Sequence, residues 1–235
     1  MSNPPILSVC FLSFNDCENL YKTINSIGQV LRDENLIDES EFIVLDNDSQ
    51  DDVNKKYIEG MLREGIIDKA YFSSYNMGQG GGFKKLLEIA KGQYILNAQS
   101  DWQFKEGVKY PFEIGMQVLD RYKNIGMIQL KYKERIHIPG YIQLEPDVYQ
   151  LNDNGYGNFT FQINLTSREK YDMWGGFEEL PFSYSCKNNR DEGSNAELMC
   201  GVRYAKSGLQ AAVIYDGQFE TLRSPNVLKE YKNAR

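Results

Sequence analysis

The stretch ILSVCFLSFND, residues 6–16, decides the fold. Ile6 to Phe14 is a largely apolar run closed by the polar turn Ser13-Phe14-Asn15-Asp16, after which Leu20, Ile24, Ile27 and Leu31 recur at spacings of 4, 3 and 4. A short apolar run followed by that period is a buried strand, a turn carrying a helix N-cap, and an amphipathic helix. The same unit repeats. Phe42 to Leu45 is apolar and stops at Asp46-Asn47-Asp48-Ser49, with a helix expected over 53–65, and Ala70 to Ser73 is a short third strand. After Asn76-Met77-Gly78-Gln79 come three glycines, then Phe83, Leu86, Leu87 and Ala90 at helical spacing with Gly92 expected as the left-handed C′ residue, then a strand at Tyr94 to Ala98. Four strand–helix units with nearly continuous apolar strands predict an α/β fold around a parallel sheet covered on both faces. Ligands of such sheets sit at the carboxyl ends of the strands, where the polar clusters at 13–16, 46–49 and 99–101 converge.

The second half is less regular. A helix is expected over Pro111–Tyr122, a strand over Met127–Tyr132, a meander over Tyr141–Thr166, a helix over Ser194–Ser207 and a last strand over Ala211–Tyr215. No linker or repeat divides the chain, so residues 1–235 read as one domain with a polar tail from Ser224.

Composition narrows the chemistry. Among 235 residues there are 26 Lys and Arg against 33 Asp and Glu, a formal charge of −7, so a nucleic-acid partner is not expected. Cys10, Cys17, Cys186 and Cys200 form no CxxC pair, and with His137 as the sole histidine no zinc cluster is expected. Neither a secretory leader nor an apolar run of membrane-spanning length is visible, which predicts a cytoplasmic protein with reduced thiols. The tripeptides beginning at Asn47, Asn158 and Asn164 match the N-glycosylation pattern and are read as accidental.

In order, the chain contains SVCFLSFN (8–15), FIVLDNDSQD (42–51), NMGQGGGFKKLLEIAKGQYIL (76–96), AQSD (98–101), WGGFEE (174–179) and AELMCGVRYAKSG (196–208). Together these resemble the family 2 glycosyltransferases of the GT-A fold, a Rossmann-like mixed sheet flanked by helices, which invert the anomeric carbon of a nucleotide-diphosphate sugar. LDN-x-S-x-D and N-x-G-x-GGG are further similar to a rhamnosyltransferase-like subgroup. The resemblance implies a nucleotide-sugar half over 1–102 and an acceptor half over 103–223.

It also implies roles. Ser13, Phe14 and Asn15 would pack on the donor's pyrimidine, though the same residues serve as a helix-capping turn. Asp46 would accept the imide hydrogen of uracil or thymine, giving a UDP- or dTDP-sugar donor; a strand-terminal turn acid is the structural alternative. Asn76, Gly78 and Gly81 would let backbone approach the donor at a helix N-terminus. Neither a dinucleotide fingerprint nor a P-loop is spelled here, and Lys84 and Lys85 read as solvated.

Gln99, Ser100 and Asp101 occupy the slot of the family's Asp-x-Asp, with Asp101 the expected ligand of Mn²⁺ or Mg²⁺ and Gln99 a ribose or water contact. Counting back from Gly208 through Arg203 puts Ala196 and Glu197 on the family's acid pair. Glu197 is then the base that deprotonates the acceptor hydroxyl of a glycan or lipid-linked sugar, with Asp191 or Glu192 left open by the loss of the first acid. Trp174, Gly175, Gly176, Glu178 and Glu179 would border the sugar and acceptor, Trp174 stacking on a ring or else packing in the core. Glu220 could stand in for a third metal ligand, and His137 reads as non-catalytic. Two other readings remain: a non-catalytic nucleotide-sugar-binding module with a degenerate site, suggested by Gln99 and Ala196, and a nucleotidyltransferase, disfavoured because Ser-Phe-Asn-Asp replaces a basic glycine loop after the first strand.

Overall fold

The computed structural model describes residues 4–104, 110–130, 141–151, 159–177, 192–214 and 219–221, with backbone alone described for 192–195, 198 and 219–221. β1 (Leu7–Ser13) is buried at every position and lies between β2 (Ser40–Asp46) and β4 (Tyr94–Gln99), parallel to both; β3 (Lys69–Phe72) extends the parallel set beyond β2. The other half completes one nine-stranded sheet in the order β3-β2-β1-β4-β9-β6-β10-β8-β7. Its strands are β6 (Ile125–Gln129), β7 (Ile142–Glu145), β8 (Val148–Gln150), β9 (Asn164–Ser167) and β10 (Gln210–Ile214). β9 runs antiparallel between β4 and β6, so the expected meander is instead a β7–β8 hairpin at the edge plus one strand in the middle. A short ribbon pairs β5 (Trp102–Phe104) with β11 (Phe219–Thr221).

Alternation along the strands builds two cores. Val9 and Phe11 face a layer carrying α1 (Cys17–Asp33), α2 (Asp52–Arg63) and α4 (Pro111–Arg121). Cys10 and Leu12 face α3 (Gly78–Ile89), α5 (Arg168–Trp174) and α6 (Glu192–Lys206). On α1 the predicted stripe Leu20, Ile24, Ile27 and Leu31 is the buried face. α2 is capped as its sequence suggests, Asp51 accepting from Asn54 N at 2.9 Å.

Two glycine expectations are corrected. α3 does not start after the glycines: Gly80, Gly81 and Gly82 are buried within it, and a Cβ on Gly82 would stand 2.5 Å from Leu12 Cδ1. Gly92 is not a left-handed cap; a Cβ there would lie 2.5 Å from Ser8 N, so the residue is small because β1's backbone passes beside it. Asn47 and Asn164 are 4% and 1% exposed, which closes two of the three glycosylation tripeptides to modification in the folded chain. The third asparagine, Asn158, lies outside the described residues, as do His137 and Cys186.

Candidate functional site

Strand register brings the motif residues together. Ser13 pairs with Asp46 and Leu12 with Gln99, so the carboxyl ends of β1, β2 and β4 form one edge. A cleft of about 280 Å³ opens there. Of the expected donor residues, Ser13, Phe14, Asn76, Gly78, Gln99 and Ser100 line it. The Ser13 hydroxyl is buried without a hydrogen-bond partner, a polar group that a bound ligand or water would satisfy. Phe14 is 45% exposed and presents an aromatic surface beside it.

Four expected residues stand off the lining. Asp46 is 4% exposed, and both its oxygens serve Ser49, accepting from Ser49 N at 3.1 Å and from the Ser49 hydroxyl. Ser49 Oγ accepts from Asn15 N at 2.8 Å, and Asn15 Oδ1 accepts from Gln50 N at 2.9 Å. Asn15 and Asp46 thus lock the turn after β1 to the turn after β2, with Asn15 in the left-handed region at φ 52°. Gly81 is buried in α3. Asp101, 3% exposed, sits between Ser100 and Trp102 in the turn from β4 to β5.

The acid that does line the cleft is Asp16. Its two oxygens accept from Asn19 Nδ2 at 2.8 Å and from Ser100 Oγ at 3.0 Å, tying the end of β4 to the start of α1. Among the described residues no three metal-ligating side chains converge. Asp101 lies off the cleft wall and Asp16 is engaged by neighbouring donors, so these residues do not build a resident cation site, and no step below runs through a metal.

On the other core, Glu197 stands on α6, and its Oε1 accepts from Phe161 N at 2.9 Å. Of the two readings of Trp174, the structure has core packing: it is 4% exposed and enclosed by Phe159, Phe177, Tyr171 and Tyr204 at ring separations of 5.3–6.0 Å. Gly175 and Gly176 have φ of 85° and 68°, with Gly176 O accepting from Arg203 Nη1 at 3.3 Å, so their role here is the turn that ends α5. Glu178, Glu179 and Asp191 lie outside the described residues, and Glu192 opens α6. The backbone of Glu220 pairs opposite Gln103, which returns the late chain to the strand just after Asp101.

Leu12, Asp16, Asn47 and Gln79 also line the cleft, though no individual role was given to them from the sequence. Leu12, Asn47 and Gln79 lie inside the quoted motifs and Asp16 in the polar cluster that ends the first strand, which is the signal that pointed to them.

A mixed α/β sheet whose polar strand ends gather beside the opening of α3 places the cleft where open sheets of this class take their ligands. Residues 8–177 match the family described as Glycosyl transferase family 2, and the chain belongs to it. No curated protein matches it. Solved structures share the GT-A fold at low identity. Staphylococcus aureus TarS in complex with UDP is 15% identical with a TM-score of 0.60, covering 95% of this chain and 62% of that one. The mannosyltransferase PcManGT from Pyrobaculum calidifontis, with GDP-Man and Mn²⁺, is 12% identical with a TM-score of 0.58, covering 95% and 59%. GalNAc-T7 with UDP, GalNAc and Mn²⁺ is 10% identical with a TM-score of 0.61, covering 91% and 43%. The chain therefore spans less than two thirds of the length of each. Among the described residues no helix is long and apolar enough to cross a membrane.

Proposed function

We propose that this chain is an inverting glycosyltransferase that moves a hexosyl group from a UDP- or dTDP-sugar to a hydroxyl of a glycan or lipid-linked acceptor, in polysaccharide assembly in the cytoplasm. The observation that carries the reading is the cleft at the joined ends of β1, β2 and β4, walled by Ser13, Phe14, Asn76, Gln99 and Ser100, within a chain of this family. LDN-x-S-x-D and N-x-G-x-GGG favour the rhamnosyltransferase-like subgroup.

In the proposed step the acceptor oxygen attacks the anomeric carbon as Glu197 takes its proton. The bond from that carbon to the phosphate oxygen breaks, and its electron pair leaves with the nucleoside diphosphate. Phe161 N holds one oxygen of Glu197 and leaves the other for the proton. The first half of the chain binds donor and the second half faces the acceptor. The sugar neighbourhood is further assigned to the 175–179 segment, with Gly81, Asp46 and Asp101 supporting the donor site from behind its wall.

The donor is sought by calorimetry with UDP-, dTDP- and GDP-sugars, each with and without Mn²⁺, together with release of nucleoside diphosphate on adding acceptors. Binding with release establishes the transferase. Binding without release across an acceptor panel favours the binding-module reading, towards which Gln99 and Ala196 point. No binding of any nucleotide sugar overturns both.

A further inference from the structure

Asn47 is 4% exposed and shares the cleft wall with Asn76 and Gly78. Its backbone N–H donates to Ser13 O at 2.8 Å, fixing it to the end of β1. Its side chain then takes hold of three consecutive residues at the opening of α3. Oδ1 accepts from Met77 N at 2.8 Å, while Nδ2 donates to Asn76 Oδ1 at 3.0 Å and to Gly78 O at 3.3 Å. Asn76 Oδ1 also accepts from Gly78 N at 2.8 Å. The partners fix both amide orientations, because Met77 N and Gly78 N can only donate and Gly78 O can only accept.

The turn held in this way is a costly one. Gly78 has φ 67°, and a Cβ on it would meet nothing within 4 Å, so glycine is there for its backbone conformation. Met77, the residue before the helix, carries no side-chain cap. Asn47 thus satisfies from another element the backbone N–H of the N-cap residue Met77, the donor that the N3 side chain of a capping box would otherwise reach.

We infer that Asn47 is a positioning residue whose amide clasp with Asn76 sets the N-terminus of α3 against the ends of β1 and β2, and so the affinity of the cleft for the diphosphate of its donor. This rests on the nucleotide-sugar reading of the same cleft. The backbone amides at a helix start favour anions only where the helix start is held facing them.

The clasp is asymmetric, and the asymmetry makes it testable. Asn76 uses its side chain only as an acceptor, so Asn76→Asp keeps both bonds. Asn47 uses its amide as acceptor and donor, so Asn47→Asp turns the contacts to Asn76 Oδ1 and Gly78 O into two acceptor–acceptor contacts. Both variants add one negative charge at the same wall, which removes charge as an explanation for any difference between them.

The test compares N47D and N76D by thermal unfolding without ligand, by calorimetry with UDP, dTDP and GDP, and by donor KM and kcat with the sugar found to react. N47D is expected to bind nucleotide at least ~10-fold more weakly than N76D, to raise donor KM in the same proportion, to leave kcat within a few-fold, and to unfold at a lower temperature. Equal affinities for the two variants overturn the inference, even where their unfolding temperatures differ. Should N47D fail to fold, N47A against N76A preserves the comparison, with three side-chain bonds lost in the first and two in the second. If the unaltered chain binds no nucleotide or nucleotide sugar, the transferase reading falls; an unfolding temperature of N47D no lower than that of N76D removes the clasp independently of it.

Discussion

Glu197→Gln separates two jobs that the structure gives to one carboxylate. As a brace, Glu197 accepts a hydrogen bond from Phe161 N, whose residue is 1% exposed and stacks on Phe83 and Phe177 at ring separations of 5.8 and 5.6 Å. A glutamine oxygen accepts the same bond, so the brace survives the change. As a base, the group must take a proton, which an amide cannot do. E197Q is therefore expected to unfold within about 2 °C of the parent, to bind donor unchanged, and to lose roughly 10²–10⁴-fold in kcat, or about 3–5 kcal/mol of barrier. E197A supplies the contrast. It leaves the buried Phe161 N–H unsatisfied at a cost of about 1–3 kcal/mol, which for a domain of this size lowers Tm by roughly 2–12 °C. The assay is nucleoside diphosphate release under saturating donor and acceptor, with thermal unfolding on the same preparations. An E197Q enzyme that keeps more than about a tenth of the parent's turnover would refute the assignment of the base and leave Glu197 a brace alone.

Gly92→Ala should be among the most damaging single-methyl changes in the fold: its Cβ would stand 2.5 Å from Ser8 N and 2.8 Å from Leu7 C, backbone atoms that cannot rotate away. A loss of about 3 kcal/mol or more by overpacking is expected in chemical denaturation, and a loss under 1 kcal/mol contradicts the close approach. Glu34, which accepts from Phe112 N at 3.1 Å and Glu113 N at 2.8 Å to cap α4 from α1, has its carboxyl raised by burial from 4.5 to about 7. The folded chain then holds a proton that the unfolded chain releases, so this contribution is complete below pH 4.5 and is lost as pH rises through about 7. Unfolding free energy should fall by on the order of 1–2 kcal/mol across that window after solvent screening, and Glu34→Gln should flatten the dependence in denaturation series at several pH values. Mn²⁺ at up to about 1 mM, added alone, should raise Tm by less than about 3 °C through the cleft, because Asp16, the acid on its wall, already accepts from Asn19 and Ser100; a larger rise that Asp16→Asn abolishes would contradict this.

Much of the first hundred residues was legible because a strand buried on both faces writes itself as an unbroken apolar run, and β1 and β2 have that form. β9 was not legible. It is four residues, Asn-Leu-Thr-Ser, entering between β4 and β6 from a distant part of the chain, and nothing in its own composition encodes partners so far away. The glycines were read by their backbone freedom, yet Gly82 and Gly92 are set by what lies beside them, Leu12 and the Ser8 backbone, which only packing reveals.

The site shows the same limit at finer grain. Motif reading chose Asp46 and Asn15, while the wall is made by their neighbours Asn47 and Asp16. Asp46 ends β2 and Asn47 is the next residue, yet only Asn47 lines the cleft. In this chain Asp46 turns to Ser49 and ties the loops, and Asn47 turns to the wall and holds α3. A motif marks where a site is to within one residue, and the direction of the side chain decides which residue of the pair meets the ligand and which keeps the other in place. That division predicts different kinetic signatures within a single dipeptide: changes at Asn47 should appear in donor affinity, whereas Asp46→Asn, which keeps an acceptor for Ser49, should be felt first as a looser pairing of the two turns.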